Sequence, residues 1–426
     1  MKTKCKHIDI TNEAFIRKAF MDWKAHKTMK AYYERTDIQK LKKECNDDEQ
    51  RLTQIIQSEI RQRHLKIDPI RFDLKEDSSN GKTRAIAIES AKQQVYDYIA
   101  YNALEDLAPY IGYYQIACKP GQGPIFGAKV VHSWLKEKER RIKPDGSVSY
   151  VYTCRYAVKA DLRHAYASIS HDNMMRLLEK RVSNDALLWL ISTLLKSIES
   201  GYPSKTFIKA IARDPSLQNK LDESRHGLPI GSVLSIRLCA LYVADVYHLN
   251  ETFTYTRRGR TINPIRHQMF NIDDIYLFGS NARQLIKVIR ADADAFQAKG
   301  MELHDDWKLI DLNPKRDDAH IDVLGYKVYR HRITMRRRDY LKTKRALSAF
   351  NKQPNADTAR RLVSYSGLFI RHTNSTRFCR KYQFYKSLRR ARKVISHDDK
   401  SYFFRKAASS HCNRDQWQCE AVPDRT

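Results

Sequence analysis

Asp273 and Asp274 are adjacent acids in a segment that is otherwise suited to burial. Residues 269–272 and 275–278 on either side are mostly apolar and β-prone, which predicts a tight hairpin with both acids in its turn. Adjacent carboxylates that are partly withdrawn from water repel each other and usually need a cation. The alternative interpretation is a polar turn on the surface.

A third acid, Asp161, ends another predicted strand. Residues 156–161 have the sequence Tyr-Ala-Val-Lys-Ala-Asp, and an aromatic residue, Tyr166, follows five positions later. Carboxylates that hold two divalent cations about 4 Å apart for in-line phosphoryl transfer must come from separate backbone segments, because one strand cannot surround both ions. Asp161 together with Asp273 and Asp274 therefore predicts a two-metal phosphoryl-transfer site.

The segments that carry these acids resemble motifs of the reverse transcriptase family, and further motifs follow in the family's order. A single Asp-Asp pair would be weak evidence, since Asp305-Asp306 is another such pair in the same chain. The resemblance covers roughly residues 70 to 375. The matching segments are Lys82-Thr-Arg84-Ala-Ile86 (basic fingers motif), Asp161-Leu-Arg-His-Ala-Tyr166-Ala-Ser-Ile169 (motif A), Gly227-Leu-Pro-Ile-Gly231 (motif B), Phe270-Asn-Ile-Asp273-Asp274 (motif C), Gly300-Met-Glu-Leu-His-Asp-Asp-Trp-Lys308 (motif D) and Val323-Leu-Gly-Tyr326 (motif E).

The resemblance implies roles for the acids and for one lysine. Asp161, Asp273 and Asp274 would hold two Mg²⁺ ions, one lowering the pKa of the primer 3′-hydroxyl and the other stabilising the triphosphate and departing pyrophosphate. Lys308 would protonate the pyrophosphate as a general acid. A surface lysine paired with Asp305 or Asp306 is the alternative for that residue.

The resemblance also implies residues that bind the nucleotide. Tyr166 would lie under the incoming sugar, where its ring would exclude a ribose 2′-hydroxyl and select deoxynucleotides; a core aromatic is the alternative. Lys82 and Arg84 would contact the triphosphate, and Arg can bind its oxygens in a bidentate manner. Solvated strand charges are the alternative for this pair.

The predicted motif B and motif C segments include three turn-forming residues and two departures from the family pattern. Gly227 and Gly231 would allow close approach to template and nucleotide, and Pro229 would fix the turn; ordinary turn chemistry is the alternative. Asn271 stands where motif C usually has an aromatic residue, and Ile230 stands where motif B usually has Gln. Both positions border template and primer in the family.

Charge distribution agrees with a nucleic-acid partner. The 426 residues include 78 Lys and Arg against 49 Asp and Glu, a formal net charge of +29. Residues 331–410 carry 22 of the basic residues and only four acids, and such a basic stripe indicates a phosphate polymer. An apolar content of 42% excludes a disordered chain. The chain lacks both an apolar run of roughly 20 residues and a secretory signal, so we expect no membrane association and a cytoplasmic location.

The fold expected from the resemblance is an α+β right-hand polymerase with fingers, an antiparallel palm sheet and a helical thumb. We expect an N-terminal helical extension over 1–65, fingers and palm over 66–330, a basic thumb over 331–410 and a tail over 411–426. Local patterns indicate a polar, Pro-punctuated stretch over 201–226 and predict a single strand over 323–329.

Residues 362–375 resemble the bacterial lineage related to group II introns, which includes retron, diversity-generating and phage-defence reverse transcriptases. The resemblance implies an RNA-directed DNA polymerase that uses an RNA template and deoxynucleoside triphosphates, makes DNA, and works with a structured non-coding RNA in antiviral defence. A homo-oligomer or a partner protein stays open.

Two other functions share part of this pattern. A DNA polymerase that needs no template or starts from a protein primer would use the same acids, and Asn271 and Ile230 leave it open, whereas Tyr166 argues against an RNA polymerase. A non-catalytic RNA-binding scaffold like a splicing maturase would share the basic thumb without needing Asp161, Asp273 and Asp274 together.

Overall fold

The computed structural model describes residues 4–27, 34–76, 83–313, 315–316, 318–367 and 375–409, with side chains as far as 398. These residues form two compact units. The first comprises the described residues of 1–26 and 36–335, and the second those of 27–35 and 336–426. Within the described residues, no helix is both long enough and apolar enough to cross a membrane.

The first unit mixes helices with antiparallel strands, as expected for an α+β fold. A 3-10 helix, Leu104–Tyr110, follows α4. The helices are α1 (Glu13–Ala25), α2 (Thr36–Glu44), α3 (Glu49–Arg61), α4 (Ala91–Ala103), α5 (Pro124–Lys136), α6 (His171–Glu179), α7 (Asp185–Glu199), α8 (Lys205–Arg213), α9 (Leu217–His226), α10 (Val233–Thr252) and α11 (Ala282–Gln297).

The strands of this unit fall into several small sheets and one central sheet. They are β1 (Arg71–Glu76), β2 (Thr83–Ile88), β3 (Lys138–Ile142), β4 (Val148–Tyr152), β5 (Tyr156–Arg163), β6 (Tyr202–Pro203), β7 (Tyr255–Arg257), β8 (Arg260–Ile262), β9 (His267–Asn271), β10 (Asp274–Gly279), β11 (Glu302–Leu303), β12 (Lys308–Asp311), β13 (His320–Val323), β14 (Tyr326–Tyr329) and β15 (Ile333–Met335).

The central sheet has the order β11-β5-β10-β9, and β12 extends the β11 edge of β5. Its two faces differ because side chains alternate along a strand. Val158 and Ala160 of β5 are buried opposite Leu277 and Ile275 of β10 on one face, and α11 packs against both strands. The opposite face carries polar residues at the end where β5 finishes.

A second sheet and the N-terminal helices also belong to the first unit. β1 pairs antiparallel with β2 and parallel with β6. Helix α1 packs on α4, where Trp23 is fully buried and donates from Nε1 to Gln94 at 3.0 Å. Lys92 of α4 is buried with Glu59 of α3 at 2.6 Å, so residues 36–61 also attach directly to α4.

The second unit is helical. Phe350, Leu362 and Phe384 form its apolar centre, and Arg390 lies with its guanidinium 5.8 Å from the Phe350 ring centroid. Its helices are α12 (Arg337–Lys352), α13 (Ala356–Ser366), α14 (Thr376–Lys381) and α15 (Phe384–Ser409).

One prediction from local pattern was wrong. Residues 323–329 do not form one strand, because Leu324 and Gly325 turn the chain with φ of +49° and +95° between β13 and β14. The polar, Pro-punctuated stretch over 201–226 contains α8 and α9. The Ser204 hydroxyl accepts from the Phe207 amide to cap α8.

Candidate active site

Asp161 and Asp274 face each other across the two central strands. They are register partners in the antiparallel pairing of β5 with β10. The Leu162 amide donates to the Asp273 carbonyl at 3.0 Å, which extends this pairing into the hairpin turn. The three acids predicted to act together therefore lie at one end of the central sheet, on its more open face.

The turn between β9 and β10 differs in one detail from its prediction. Asp273 lies in the turn, but Asp274 is already the first residue of β10 and pairs with Asn271. Ile272 turns the chain with φ of +58°, a conformation that is costly for a β-branched residue. Such strain is found mostly where the surrounding structure holds a functional site in place.

The three acids disfavour one another's charged forms. Burial, followed by the charge of Asp161, raises the pKa of Asp273, and Arg84 opposes that rise. Burial also raises the pKa of Asp274 to about 6, with Asp273 and Asp161 adding to the effect while Lys159 opposes it. Both shifts show that the fold holds carboxylates together at a cost in their charged form.

Lys159 and Tyr276 join the site, although the sequence motifs did not single them out. Lys159 Nζ lies 3.9 Å from Asp274 Oδ1 and 5.6 Å from the Tyr276 ring centroid. Tyr276 shares this face and lowers the pKa of Asp274, which favours its charged form. Strand alternation was the available signal, because residues 159 and 161 must point to the same face of β5.

The donor set fits a hard divalent cation. Asp161 Oδ1 is buried without a hydrogen-bond partner among the described residues, so it has an oxygen available for a ligand. Carboxylate oxygens are the ligands that Mg²⁺ prefers, usually together with substrate phosphates and water. Within the described ranges, no three His, Cys, Asp or Glu side chains converge tightly enough to enclose an ion by themselves. The acids thus fit ions that are also coordinated by substrate.

Tyr166 lies beside the acids and is half-buried. Burial raises the pKa of its hydroxyl, and Cys239, Asp273 and Cys118 add to the shift. Tyr166 is therefore affected both by the protein interior and by the charge of Asp273. Both the sugar-selecting role and the core role remain compatible with this position.

The predicted motif B loop contacts motif A and the β2 strand. Gly227 packs so tightly that a Cβ would lie 2.4 Å from Ala167 Cα, and the Leu228 amide donates to the Tyr166 carbonyl at 2.8 Å. Gly231 has φ of +119° and lies against the Ala87 carbonyl of β2. Pro229 is buried between them. These contacts require glycine at both positions for steric reasons alone.

Of the two predicted phosphate-binding residues, Arg84 lies in the described part of the chain and Lys82 lies outside it. Arg84 is an exposed residue of β2, and its charge lowers the pKa of Asp273. Its positive charge therefore acts on one of the three acids.

Lys308 is the first residue of β12 and is exposed opposite Lys159 of β5. It shares the face of Asp161 and lies two strand positions from it. The alternative was an ion pair with Asp305 or Asp306. Asp305 binds Arg163 instead, and no ion pair joins Lys308 to Asp306 among the described residues.

The structure also shows where the two departures from the family pattern lie. Phe270 cannot replace the aromatic residue missing at 271, because it points to the other face of β9 and is buried against Tyr247. Asn271 is half-buried beside Asp274. Ile230 is half-buried and its carbonyl accepts from the Ala87 amide at 3.2 Å.

Comparison with known proteins agrees with this arrangement. Residues 74–328, more than half of the chain, match the family described as reverse transcriptase (RNA-dependent DNA polymerase). A search of curated proteins finds no significant match. The matched range contains β5, the β9–β10 hairpin and the loop that joins motif B to β2. Two acids on adjacent strands and a third in the turn before β10 lie within this family match, and the chain belongs to the reverse transcriptase family.

Proposed function

We propose that this protein is an RNA-directed DNA polymerase that adds deoxynucleotides to a 3′-hydroxyl by two-metal catalysis. The observation that carries the proposal is the pairing of Asp161 with Asp274, with Asp273 adjacent in the turn. Divalent cations bound there would activate the 3′-hydroxyl and stabilise the charge that develops on the transferred phosphate.

The protein's own residues would orient the reactants around these acids. Asp161, Asp273 and Asp274 would supply the carboxylate oxygens, and Arg84 and Lys82 would hold the triphosphate. Lys308 would donate a proton to the departing pyrophosphate.

Around the nucleotide, Tyr166 would bound the sugar pocket. Gly227, Pro229 and Gly231 would keep the motif B loop close to the reacting bases.

Primer extension on an RNA template with deoxynucleoside triphosphates tests the proposal. Asp273→Asn should reduce incorporation by about a thousandfold or more, because several kcal/mol of charge stabilisation are lost. Asp306→Asn is the matched control, because Asp306 is exposed and belongs to a different pair of adjacent acids, Asp305-Asp306. Equal activity of Asp273→Asn and the wild-type protein would overturn the assignment and favour a non-catalytic scaffold.

Asn271 supports a second candidate, DNA synthesis without a nucleic-acid template. The half-buried amide beside Asp274 replaces the aromatic contact that motif C usually offers to the primer. Synthesis that proceeds equally with and without added template, or DNA that remains covalently attached to the protein, would favour this candidate. Strict dependence on RNA would exclude it.

We further propose that the enzyme works with its own structured non-coding RNA in bacterial antiviral defence. The support is the resemblance of residues 362–375 to that lineage, of which 368–374 lie outside the described residues. Sequencing the RNA that copurifies with the protein, together with the DNA that it makes, tests this context. Random cellular RNA in the complex would contradict it.

A further inference from the structure

Residues 138–152 form an exposed two-stranded element, here called the tyrosine ribbon, immediately before β5. Its strands β3 and β4 pair from Lys138 with Tyr152 to Ile142 with Val148. Ile142 is 66% exposed and Tyr150 is 65% exposed, although neither residue type favours water. A contiguous apolar and aromatic face in solvent commonly marks a binding surface.

One face of the tyrosine ribbon combines rings with positive charge. Cross-strand register puts Lys138, Arg140 and Ile142 on the same face as Tyr152, Tyr150 and Val148. Both charged residues on this face are cations. Glu139 points to the other face and accepts a hydrogen bond from Arg141 at 2.7 Å.

Hydrogen bonds and a ring contact hold both ends of the tyrosine ribbon, so its exposed face has a defined structure. At the tip, Asp145 Oδ1 accepts from the Ser147 amide at 2.9 Å, and Gly146 turns with φ of +78°. At the root, the Thr153 amide donates to the Glu137 carbonyl, and Arg330 lies over the Tyr152 ring at 4.1 Å. A rigid platform loses little entropy when it binds a partner.

A second exposed hairpin, here called the arginine hairpin, spans residues 255–262. Arg258 and Gly259 form its turn with φ of +51° and +73°, as in a type I′ turn. Arg257, Arg258 and Arg260 are exposed, and the sequence has no acid between Glu251 and Asp273. Three exposed arginines at the tip of this hairpin, with no acid near them in the sequence, are suited to bind phosphate groups.

The two hairpins leave the central sheet at the same end. Glu137, directly before the tyrosine ribbon, contacts His267 at 2.8 Å and Arg266 at 3.6 Å, and these residues follow the arginine hairpin. β5 begins here at Tyr156 and reaches Asp161 about 16 Å further along the strand. This end of the sheet is therefore opposite to the candidate active site.

We propose that the tyrosine ribbon and the arginine hairpin together bind single-stranded RNA at this end of the sheet. Unstacked bases would lie on Tyr150 beside Arg140, while the arginine hairpin would bind phosphates. Single strands are favoured over duplexes because bases within a duplex cannot stack on a side chain. The inference rests on the proposed function, since it takes the bound polyanion to be the RNA that the enzyme copies or carries.

Binding of a fluorescent oligouridylate of about 20 nucleotides to the full-length protein without Mg²⁺ tests the arginine hairpin. The combined change Arg257→Ala, Arg258→Ala and Arg260→Ala should raise Kd about tenfold and lower the slope of log affinity against log salt by about two. Arg17→Ala, Lys18→Ala and Arg51→Ala remove the same charge from exposed positions of α1 and α3. Equal weakening by this control set would overturn the proposal.

The tyrosine ribbon has its own test. Tyr150→Ala should raise Kd for the oligouridylate at least fivefold and leave Kd for an RNA duplex unchanged, because stacking needs an open base. Tyr150→Phe should retain binding, and Tyr202→Ala controls for loss of another exposed ring. Unchanged RNA affinity in Tyr150→Ala would overturn the proposal. If light scattering shows a wild-type dimer that Tyr150→Ala dissociates, the surface binds a second copy instead.

Failure of this inference can be separated from failure of the proposed function. Both hairpin variants should extend a short primer–template, whose template overhang is only a few nucleotides, at the wild-type rate. Asp273→Asn should lose extension and still bind the oligouridylate. Loss of extension on the short substrate by the hairpin variants would contradict a binding surface remote from the acids.

Discussion

Asp161 and Asp274 lie directly opposite each other on adjacent antiparallel strands, although they are far apart in the chain. Their carboxylates share the face that holds Lys159, and one oxygen of Asp161 is buried without a hydrogen bond. Repulsion between these groups is a cost to the folded state, and the cations of the proposed mechanism would offset it.

Mg²⁺ should therefore stabilise the protein even without substrate. At an ion concentration tenfold above the dissociation constant, the free energy of unfolding should rise by about 1.4 kcal/mol. In EDTA, Asp273→Asn should melt above the wild-type protein because a repulsive buried charge is removed, and Mg²⁺ should no longer raise its Tm. Thermal melts with and without Mg²⁺ measure both effects. A normal Mg²⁺ shift in this variant would contradict the assignment of Asp273 as a ligand.

Tyr166→Ala should weaken discrimination against ribonucleotides. The half-buried ring lies next to Asp273, where its removal would open space for a 2′-hydroxyl. The ratio of kcat/KM for deoxynucleotide over ribonucleotide should fall about tenfold or more, while Tyr166→Phe, which keeps the ring, should preserve it. A lower Tm with unchanged sugar selectivity would identify Tyr166 as a core residue.

Gly227→Ala should impair both stability and polymerisation. The new Cβ would lie 2.4 Å from Ala167 Cα, so the loop must move away from the motif A backbone, at a cost of about 1–3 kcal/mol. Gly123→Ala is the matched control, because a Cβ there meets nothing within 4 Å. Urea unfolding of the two variants provides the comparison. Equal stability would show that the loop tolerates displacement.

Asp292 should make the protein less stable as pH rises. It is fully buried in α11, and burial raises its pKa to about 7, while a hydrogen bond from Asn250 partly opposes the shift. The folded state then holds a proton that the unfolded state releases near pH 4. Stability is therefore lost between about pH 4 and pH 7, by at most about 1.4 kcal/mol per pH unit.

Asp292→Asn should remove this contribution to the pH dependence of unfolding, whereas Asp294→Asn, at an exposed position of the same helix, should keep it. Urea unfolding at several pH values measures the difference. Parallel pH profiles for the wild-type protein and Asp292→Asn would show that Asp292 titrates normally.

Local sequence patterns predicted much of the polymerase unit. The strand that ends near Asp161, the helix after Ser170 and the helix after Ser232 all form, because each depends on periodicity and on a cap within a few residues. Local patterns were insufficient at 323–329, where the turn at Leu324 and Gly325 divides a continuous β-prone run.

The sequence alone identified the three candidate acids and the family, because the motif residues and their order can be read directly from the chain. Only the tertiary structure decided that Asp274 pairs with Asp161, that Lys159 compensates them, and that Phe270 points away from the site. Register between distant strands is decided by packing of whole faces, and no short window of residues contains that information.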